Sequence, residues 1–326
     1  MYYFIFLYHH LGKKLDLSLT PMQNTFFDRY NRYQSSILRE FAMSLDRIRL
    51  ASLHDKVISA EQAAEFVQDG MTVGMSGFTR AGEAKAVPLA LVARAKTNPL
   101  KIDLITGASL GNDLDKQLTE AGVLARRMPF QVDNTLRKAI NQGQVMFIDQ
   151  HLSETVEQMR NNTLKRPDIA IVEAVAITED SLIIPTTSVG NSASFVEYAD
   201  KVIIEINTNV STEFEGLHDI YIPEARPTRG PVPLTHVDQR IGTKGIQLDP
   251  AKVVGIVFND TLLDSPSNVT DPDDETQAIA DHLIAFFENE VAQGRLPKNL
   301  APLQAGIGSI ANAVLTGFKH SNFEDL

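Results

Sequence analysis

The feature that most constrains the fold is a regular alternation of helix-like and strand-like segments that begins at residue 59. Ser59 and Gln62 form the pattern of a capping box, which opens a helix. Asp133 and Gly143 are placed to begin and end another helix. Short apolar runs bounded by turn residues separate the helices and are typical of strands. We therefore predict an α/β fold, a mostly parallel sheet with helices on both faces.

The pattern predicts the following elements. The strands are 71–75, 101–106, 145–149, 168–177, 182–185, 201–206 and 252–258. The helices are 60–69, 84–96, 133–143, 153–162 and 274–292. The segment 168–177 is a long, mostly apolar run, and we expect it to be a central strand.

Changes in pattern along the chain indicate domain boundaries. Residues 207–246 contain many prolines and glycines with little periodicity, which indicates a functional loop or a separate excursion. Residues 295–302 resemble a linker. We predict a first α/β domain over 43–294, then a linker and the start of a second, similar domain over 295–326.

The first 42 residues differ from the rest, being rich in aromatic residues and poorly periodic. One hypothesis is that Met43 is the native start and that residues 1–42 are an extension that is not native. The alternative is a real, loosely packed N-terminal arm. Intact-mass measurement of the protein from its natural source distinguishes these hypotheses.

Bulk composition excludes several classes of function. The net charge of −11 argues against a nucleic-acid binder, which would carry a basic face. The absence of cysteine excludes disulfides, thiolate catalysis and cysteine metal sites. No apolar run approaches the roughly 18 residues of a membrane helix. We expect a cytoplasmic protein that binds neither nucleic acid nor a membrane.

Three glycine-containing loops follow predicted strands, at 76–82, 106–112 and 187–192. Ligands of open α/β sheets bind at the carboxyl edge, where such loops meet. The first loop, with Arg80 and Lys85 nearby, is consistent with contact to a phosphate or pyrophosphate. The alternative is that these loops are ordinary turns and that the basic side chains are solvated.

The sequence GIGSIA at 306–311 precedes a helix-like segment, so its backbone amides and the helix dipole could hold an anion. One interpretation is a dinucleotide site in which Glu324 or Asp325 binds the ribose. The preceding strand would be very short, which weakens this interpretation. The alternative is a tight turn that packs Ala311 and Ala313 against a neighbouring element.

Other candidate residues give weaker indications. Glu173 lies in an apolar strand, where a carboxylate is costly unless it is paired. It could be catalytic, but we favour a structural role, paired with a backbone amide or an arginine. The basic stretch RRMP at 126–129 is typical of a solvated face. The eight histidines show no metal-binding spacing, so no metal site is predicted.

Taken together, these stretches resemble the acetyl-CoA hydrolase/transferase family, and specifically the class I succinyl-CoA:acetate CoA-transferases. The likeness extends from about residue 45 to residue 326 and depends on the order and spacing of several segments. They include SGFTRAGEAKAVPLAL, LITGAS, DIAIVEAVAITED, IIPTTSVGNS, KVIIEIN, GLHDIY and LPKNLAPLQAGIGSIANAVLTGF.

The resemblance implies two similar α/β domains with an active site in the cleft between them. In this family, a glutamate attacks the acyl-CoA thioester and then carries coenzyme A as a glutamyl-CoA thioester before a second carboxylate accepts it. The resemblance assigns the coenzyme A contacts to Gly306, Ile307, Gly308, Ser309 and Ile310, and an oxyanion-binding amide to Ile307. The family's glutamate would lie beyond Leu326, so we expect this chain alone to be inactive. Glu324 precedes that position and is not assigned the role.

The resemblance also implies substrates and partners. Acyl-CoA and small carboxylates such as acetate and succinate would be substrates, with no permanently bound cofactor, and the full-length protein would be a homodimer. An acetyl-CoA hydrolase, in which water replaces the carboxylate acceptor, shares every visible feature. A non-catalytic module that binds coenzyme A or a sugar phosphate is the alternative from another class.

Overall fold

A computed structural model describes residues 45–236, 238–265, 271–306 and 308–326. The described residues fall into two compact units, one within 45–265 and one within 271–326. The proposed N-terminal extension, residues 1–42, lies outside the described residues. Within the described ranges, no helix combines the length and the apolar character needed to cross a bilayer.

The first unit is built on a seven-stranded sheet. Its strands are β1 Thr72–Met75, β2 Ile102–Thr106, β3 Leu124–Met128, β4 Met146–Phe147, β5 Ile169–Ala174, β8 Lys201–Asn207 and β10 Val253–Asn259. Their order across the sheet is β10-β8-β5-β1-β2-β3-β4, and every neighbouring pair is parallel. A small antiparallel sheet contains β6 Ala176–Ile177, β7 Leu182–Ile184 and β9 Ile246–Gln247. The predicted α/β fold with a mostly parallel sheet is confirmed.

Helices cover both faces of the large sheet. They are α1 Ala60–Ala64, α2 Ala86–Ala95, α3 Leu114–Glu120, α4 Asn134–Asn141, α5 Leu152–Arg160 and α6 Ser192–Tyr198. One apolar core includes side chains of α1 to α4, and a second core includes side chains of α5 and α6. Because both faces are covered, β5 is buried along its whole length, and this explains its nearly continuous apolar sequence.

Local sequence signals fix the starts of two helices as predicted. The Ser59 side chain accepts a hydrogen bond from the Gln62 amide, and the Gln62 side chain accepts one from the Ser59 amide. The Asp133 side chain accepts from the amide of Leu136 at the start of α4. These caps satisfy amides that have no partner within the helix.

The predicted strand at 168–177 is divided between the two sheets. β5 ends at Ala174, and the Val175 amide donates instead to the Ile184 carbonyl of the small sheet, at 2.7 Å. β5 pairs with both β1 and β8, so it is an internal strand, while β1 occupies the middle of the order. The continuous apolar pattern could not show this change of partner.

The stretch at 126–129 is not a solvated face, so that prediction is wrong for Arg127. Residues 126–128 belong to β3, and the Arg127 side chain is fully buried. Its Nε donates to Asp115 Oδ1 at 2.8 Å, and its terminal nitrogens also donate to the carbonyls of Ala108 and Met128. These partners offset the cost of burying the charge.

The order of strands reverses between β1 and β5. From β1 the chain adds β2, β3 and β4 on one side, and it then crosses to place β5, β8 and β10 on the other side. Open parallel sheets bind ligands at the carboxyl ends of the two strands that flank such a reversal. A ligand site is therefore expected at the carboxyl ends of β1 and β5.

The second unit contains α7 Asp274–Ala292 and α8 Ser309–Phe318. The two helices pack together through Ala280 and Phe318, and the ring of Phe287 stacks on that of Phe318 at 6.0 Å between centroids. The bounds of α7 are those predicted from its apolar spacing. A capping box between Asp273 and Thr276 fixes its start.

Gly74 in β1 tests the packing between the sheet and α6. A Cβ atom at this position would lie 2.8 Å from the ring of Phe195, which is fully buried. We expect Gly74→Ala to lower the free energy of unfolding by about 1–3 kcal/mol, since the ring cannot move without disturbing the core. Urea unfolding measures the change. Gly230→Ala, at a position with open space, serves as the control and should change stability little. Equal stability of the two variants would contradict the packing described.

Candidate functional site

The three glycine-containing loops meet at the carboxyl edge of the large sheet. The Gly107 amide donates to the Gly77 carbonyl at 3.1 Å. A Cβ atom on Gly107 would lie 2.6 Å from that carbonyl oxygen and 3.3 Å from Cα of Gly190. The Ser188 hydroxyl donates to the Ala81 carbonyl at 2.7 Å. The loops approach so closely because these glycines carry no side chain.

The amides of the first loop are largely used within the protein. Phe78 and Ala81 exchange backbone hydrogen bonds, and the Arg80 amide donates to the Ser109 carbonyl. The Gly82 amide donates to both carboxylate oxygens of Asp264, at 3.2 Å. An amide that already has an acceptor is not available to a phosphate. The geometry therefore favours the turn interpretation of this loop over a phosphate cradle.

Lys85 is neither solvated nor free to bind phosphate, so both expectations for it are wrong. Its side chain is fully buried, and its Nζ donates to Glu173 Oε2 at 2.6 Å and to the Glu83 carbonyl at 2.7 Å. It also pairs with Asp264 Oδ1 at 2.8 Å. These three acceptors match the three donors of an ammonium group. Burial by itself would lower the pKa of Lys85, but Glu173 and Asp264 outweigh it and raise that pKa.

Glu173 has the structural role that we favoured, although its charged partner is a lysine. Besides Lys85, it accepts from the Thr186 hydroxyl at 2.7 Å and from the Asn207 side-chain amide at 3.2 Å. Burial raises the pKa of Glu173 to about 7 against the opposing effects of Lys85 and Thr186. Glu205, its neighbour in register on β8, also raises it. Both oxygens of the carboxylate are therefore engaged within the protein.

Glu205 fixes the start of α2. Its carboxylate accepts from the backbone amides of Lys85, Ala86 and Val87, at 2.8 to 3.1 Å. These are amides at a helix N-terminus, where a negative charge is favourable. Burial nevertheless raises the pKa of Glu205. Our sequence reasoning missed this residue, although a lone carboxylate in the apolar run 201–206 is the same signal that identified Glu173.

The segment after β10 crosses the carboxyl edge of the sheet. The side-chain amides of Asn207 and Asn259 both donate to the Leu262 carbonyl at 3.0 Å. Asp264 accepts from Lys85 and from the Thr187 hydroxyl. Burial by itself would raise the pKa of Asp264, but these donors hold it below its usual value. The segment therefore fills the crevice beside the strand reversal.

An open cavity of about 600 Å³ remains beside this filled crevice. It lies at the ends of β1 to β4 and is lined by Phe78, Thr79, Ala108, Phe130 and residues 149–152. Both phenylalanine residues are partly exposed, at 40% and 46% of their full accessible surface. Exposed aromatic rings beside a few polar groups are typical of a small-molecule site.

The glycine turn at 306–310 lies in the second unit. Ile307, the expected oxyanion donor, lies outside the described residues. Gly308 has φ of 141°, a backbone conformation that glycine adopts readily. It is the N-cap residue of α8. The first two residues of that helix, Ser309 and Ile310, are exposed. The first amides of a helix have no partner within it, so this turn can receive an anion. The structure shows Gly308 at the start of the helix; the coenzyme A contacts assigned to Gly306, Ile307, Gly308, Ser309 and Ile310 stay predictions.

Comparison with known proteins settles the family. The acetyl-CoA hydrolase/transferase N-terminal domain matches residues 43–258. The chain belongs to the acetyl-CoA hydrolase/transferase family.

Named relatives are a CoA-transferase and hydrolases. The chain is 44% identical over 282 residues to the succinyl-CoA:acetate CoA-transferase of Clostridium kluyveri, covering 86% of this chain and 52% of the relative. It is also 44% identical over 292 residues to the acetyl-CoA hydrolase of Kluyveromyces lactis, covering 86% and 55%. The chain thus spans about half the length of these relatives.

Solved structures share the fold. RipA from Yersinia pestis superimposes with a TM-score of 0.57 at 16% identity, over 85% of this chain and 56% of that protein. At this identity, the likeness confirms the α/β architecture of the family and gives no information on substrate.

Lys85→Met tests the buried ion cluster. Removal of the ammonium group leaves Glu173 and Asp264 without their cation, and we expect the free energy of unfolding to fall by about 3–5 kcal/mol. Urea unfolding measures this loss. Adding Glu173→Gln to Lys85→Met should recover part of it, since the uncompensated buried carboxylate is then removed. Lys101→Met, at an exposed lysine, is the control. If Lys85→Met lowers the free energy of unfolding no more than the control does, the buried ion cluster described here is contradicted.

The raised pKa of Glu173 predicts a pH dependence of stability. A carboxyl group whose pKa is about 7 in the folded protein, against an ordinary value of 4.5, binds protons more tightly when the protein is folded. The contribution of this group to the free energy of unfolding is complete below pH 4.5, the ordinary pKa of the carboxyl group. It is lost as the pH rises from there toward 7. We expect Glu173→Gln to flatten the decline of unfolding free energy over this interval, measured by urea titration at several pH values. Glu154→Gln, an exposed control, should retain the wild-type slope. An unchanged slope in Glu173→Gln would show that its pKa is ordinary.

Proposed function

We propose that this chain is the N-terminal part of an acyl-CoA:carboxylate CoA-transferase of the succinyl-CoA:acetate type. The observation that carries the proposal is its 44% identity, over 86% of its length, to a protein of that name. The open aromatic-lined cavity at the carboxyl edge supplies a place for an acyl group, where the fold class binds its ligands.

The proposed chemistry is covalent catalysis by a carboxylate. A glutamate attacks the thioester carbonyl of acyl-CoA, and the coenzyme A thiolate leaves and then attacks the resulting anhydride. The products are a free carboxylate and a glutamyl-CoA thioester, from which a second carboxylate takes up coenzyme A. The thioester bond energy is retained throughout, so no external energy source is needed.

The residues of this chain would bind and orient the substrate. In our proposal, Gly306, Ile307, Gly308, Ser309 and Ile310 contact coenzyme A, and the Ile307 amide donates to the developing oxyanion. The attacking glutamate is assigned by resemblance to sequence following Leu326. Acetate and succinate are the proposed carboxylates, and we propose a cytoplasmic homodimer for the full-length protein.

A hydrolase is the second candidate, because the acetyl-CoA hydrolase of Kluyveromyces lactis is equally identical to this chain. The two functions differ only in whether water or a carboxylate resolves the enzyme-bound intermediate. The residues of this chain that are assigned to the site are the same for both functions.

Loss of the succinyl-CoA thioester by the full-length protein, measured with and without acetate, tests the function. A transferase loses the thioester in an acetate-dependent manner and forms acetyl-CoA. A hydrolase releases free coenzyme A at the same rate without acetate. A full-length protein that does neither with succinyl-CoA or acetyl-CoA would overturn both proposals.

Gly308→Val tests the assigned turn. A valine cannot readily adopt φ of 141°, so the substitution should distort the amides and reduce kcat/KM by about 100-fold, the effect of losing one oxyanion donor. Gly230→Val, in open space and without a positive φ, is the control and should retain activity. If Gly308→Val folds and keeps the wild-type kcat/KM, the turn is not part of the site.

A further inference from the structure

The first glycine-containing loop ends in a tight turn with an unusual sequence. Phe78 and Ala81 exchange backbone hydrogen bonds, at 2.9 and 3.1 Å, around Thr79 and Arg80. Both central residues have positive φ, 52° for Thr79 and 69° for Arg80. Positive φ at both central positions is the property of a type I′ turn, for which Asn-Gly is the preferred sequence. This turn therefore carries two residues that its backbone conformation disfavours.

Thr79 is the more strained of the two. A β-branched residue at positive φ is an outlier, and such strain persists only where the surrounding structure holds the backbone. Here the Arg80 amide donates to the Ser109 carbonyl of the neighbouring loop at 3.1 Å. Strained residues of this kind are concentrated at ligand sites. An Asn-Gly turn would have the same shape at lower cost, so what this sequence adds is a hydroxyl and a guanidinium group.

The turn presents unused hydrogen-bond donors at the open cavity of about 600 Å³. Thr79 lines that cavity and is partly exposed. Neither its amide nor its hydroxyl has a hydrogen-bond partner among the described residues. Arg80 follows it directly and is exposed, and its guanidinium forms no hydrogen bond or ion pair within the described ranges. Unlike the buried and fully partnered Lys85, this cation is accessible to a ligand.

One carboxylate of the cavity wall opposes an anionic ligand. Asp149 is exposed and belongs to the segment after β4, with β2 and β3 between it and the turn after β1. The carboxylates beside the turn are less available, because Asp264 belongs to the buried ion cluster and Glu83 is fully buried. His151 is the other titratable group that lines the cavity. The side of the cavity at Arg80 is therefore the one that favours a negative charge.

We propose that the Thr79–Arg80 turn selects substrates that carry a second carboxylate, with Arg80 pairing with that carboxylate and Thr79 donating to it from its amide and hydroxyl. A guanidinium matches a carboxylate in shape, and hydrogen bonds to a charged acceptor are stronger than neutral ones.

The rest of the cavity suits the carbon chain of such a substrate. The apolar side chains of Phe78, Phe130 and Leu152 would contact the methylene groups between two carboxylates. This assignment rests on the function proposed above. It identifies the succinyl group, rather than the acetyl group, as the acyl group that this edge recognises.

Kinetics of the full-length protein test the proposal through the ratio of kcat/KM for succinyl-CoA to kcat/KM for acetyl-CoA. The double substitution Thr79→Asn, Arg80→Gly gives the turn its preferred sequence and removes the hydroxyl and the guanidinium. We expect it to lower the ratio about tenfold or more, the effect of losing a charge-assisted hydrogen bond. Because acetyl-CoA lacks the second carboxylate, the ratio cancels effects on the coenzyme A part of the substrate. Arg137→Gln, at an exposed arginine of α4, is the control and should retain the wild-type ratio.

The same double variant should remain folded and become more stable. We expect its Tm, measured by circular dichroism, to rise by about 2–4 °C, because asparagine and glycine adopt positive φ at lower cost. A lower ratio in a more stable variant cannot result from unfolding. A lower Tm would contradict the strain on which the proposal depends, and an unchanged ratio would show that the turn has only a structural role.

Single substitutions separate the two opposing charges. Arg80→Gln should lower the ratio by about threefold or more, and Asp149→Asn should raise it roughly twofold, because a charge of the same sign as the ligand is removed. Opposite effects of the two substitutions indicate recognition of an anion. An unchanged ratio in Arg80→Gln, or a lower ratio in Asp149→Asn, would overturn the proposal.

A binding measurement separates failure of this proposal from failure of the proposed function. If the full-length protein consumes neither thioester, the proposed function is wrong, and calorimetric titration of the 326-residue chain with succinate then decides. Saturable binding of succinate that is tighter than that of acetate, and that Arg80→Gln weakens, retains the turn as a dicarboxylate site. Absence of saturable succinate binding, or equal affinity for acetate, would overturn it.

Discussion

The arrangement of the carboxyl edge depends on one buried ammonium group. Lys85 Nζ lies between Glu173 on β5, Asp264 after β10 and the carbonyl of Glu83. These acceptors come from separate parts of the chain, so a single cation joins the central strands, the start of α2 and the segment that ends the first unit. Because each acceptor is costly to bury alone, the arrangement is stable only when it is complete.

This cluster also determines where a ligand can bind. Parallel sheets are expected to take ligands at the strand reversal, here between β1 and β5. That crevice is filled by the Lys85 cluster and by the chain from Thr261 to Ser265. The part of the carboxyl edge that a ligand can reach therefore lies toward the ends of β2, β3 and β4, where Phe78 and Phe130 border an open cavity. The filled crevice acts as a rigid support, and the neighbouring loop ends form the open surface.

Much of this fold was predictable, because periodicity and capping are local properties of the sequence. Six of the seven strands of the large sheet, together with α4 and α7, follow from such patterns, whereas β3 was not predicted. The roles of Lys85 and Arg127 do not, since a basic residue in a loop or short strand looks the same whether it is solvated or buried. Asp264 lies 182 residues from the Gly82 amide that it accepts from, and only the folded topology brings them together. Glu205 could have been found, because it interrupts an apolar run as Glu173 does.

The carboxylates of the edge limit the chemistry that they can perform. Glu173, Glu205 and Asp264 each accept hydrogen bonds from several donors, and a carboxylate held in this way is a poor nucleophile because its lone pairs are engaged. Glu83 has one buried oxygen without a partner among the described residues, but its side chain is inaccessible to a substrate. None of these four groups meets the requirements of access and availability that attack on a thioester imposes. Under the function proposed above, this edge would orient the acyl group, and the attacking carboxylate would be a group other than these four.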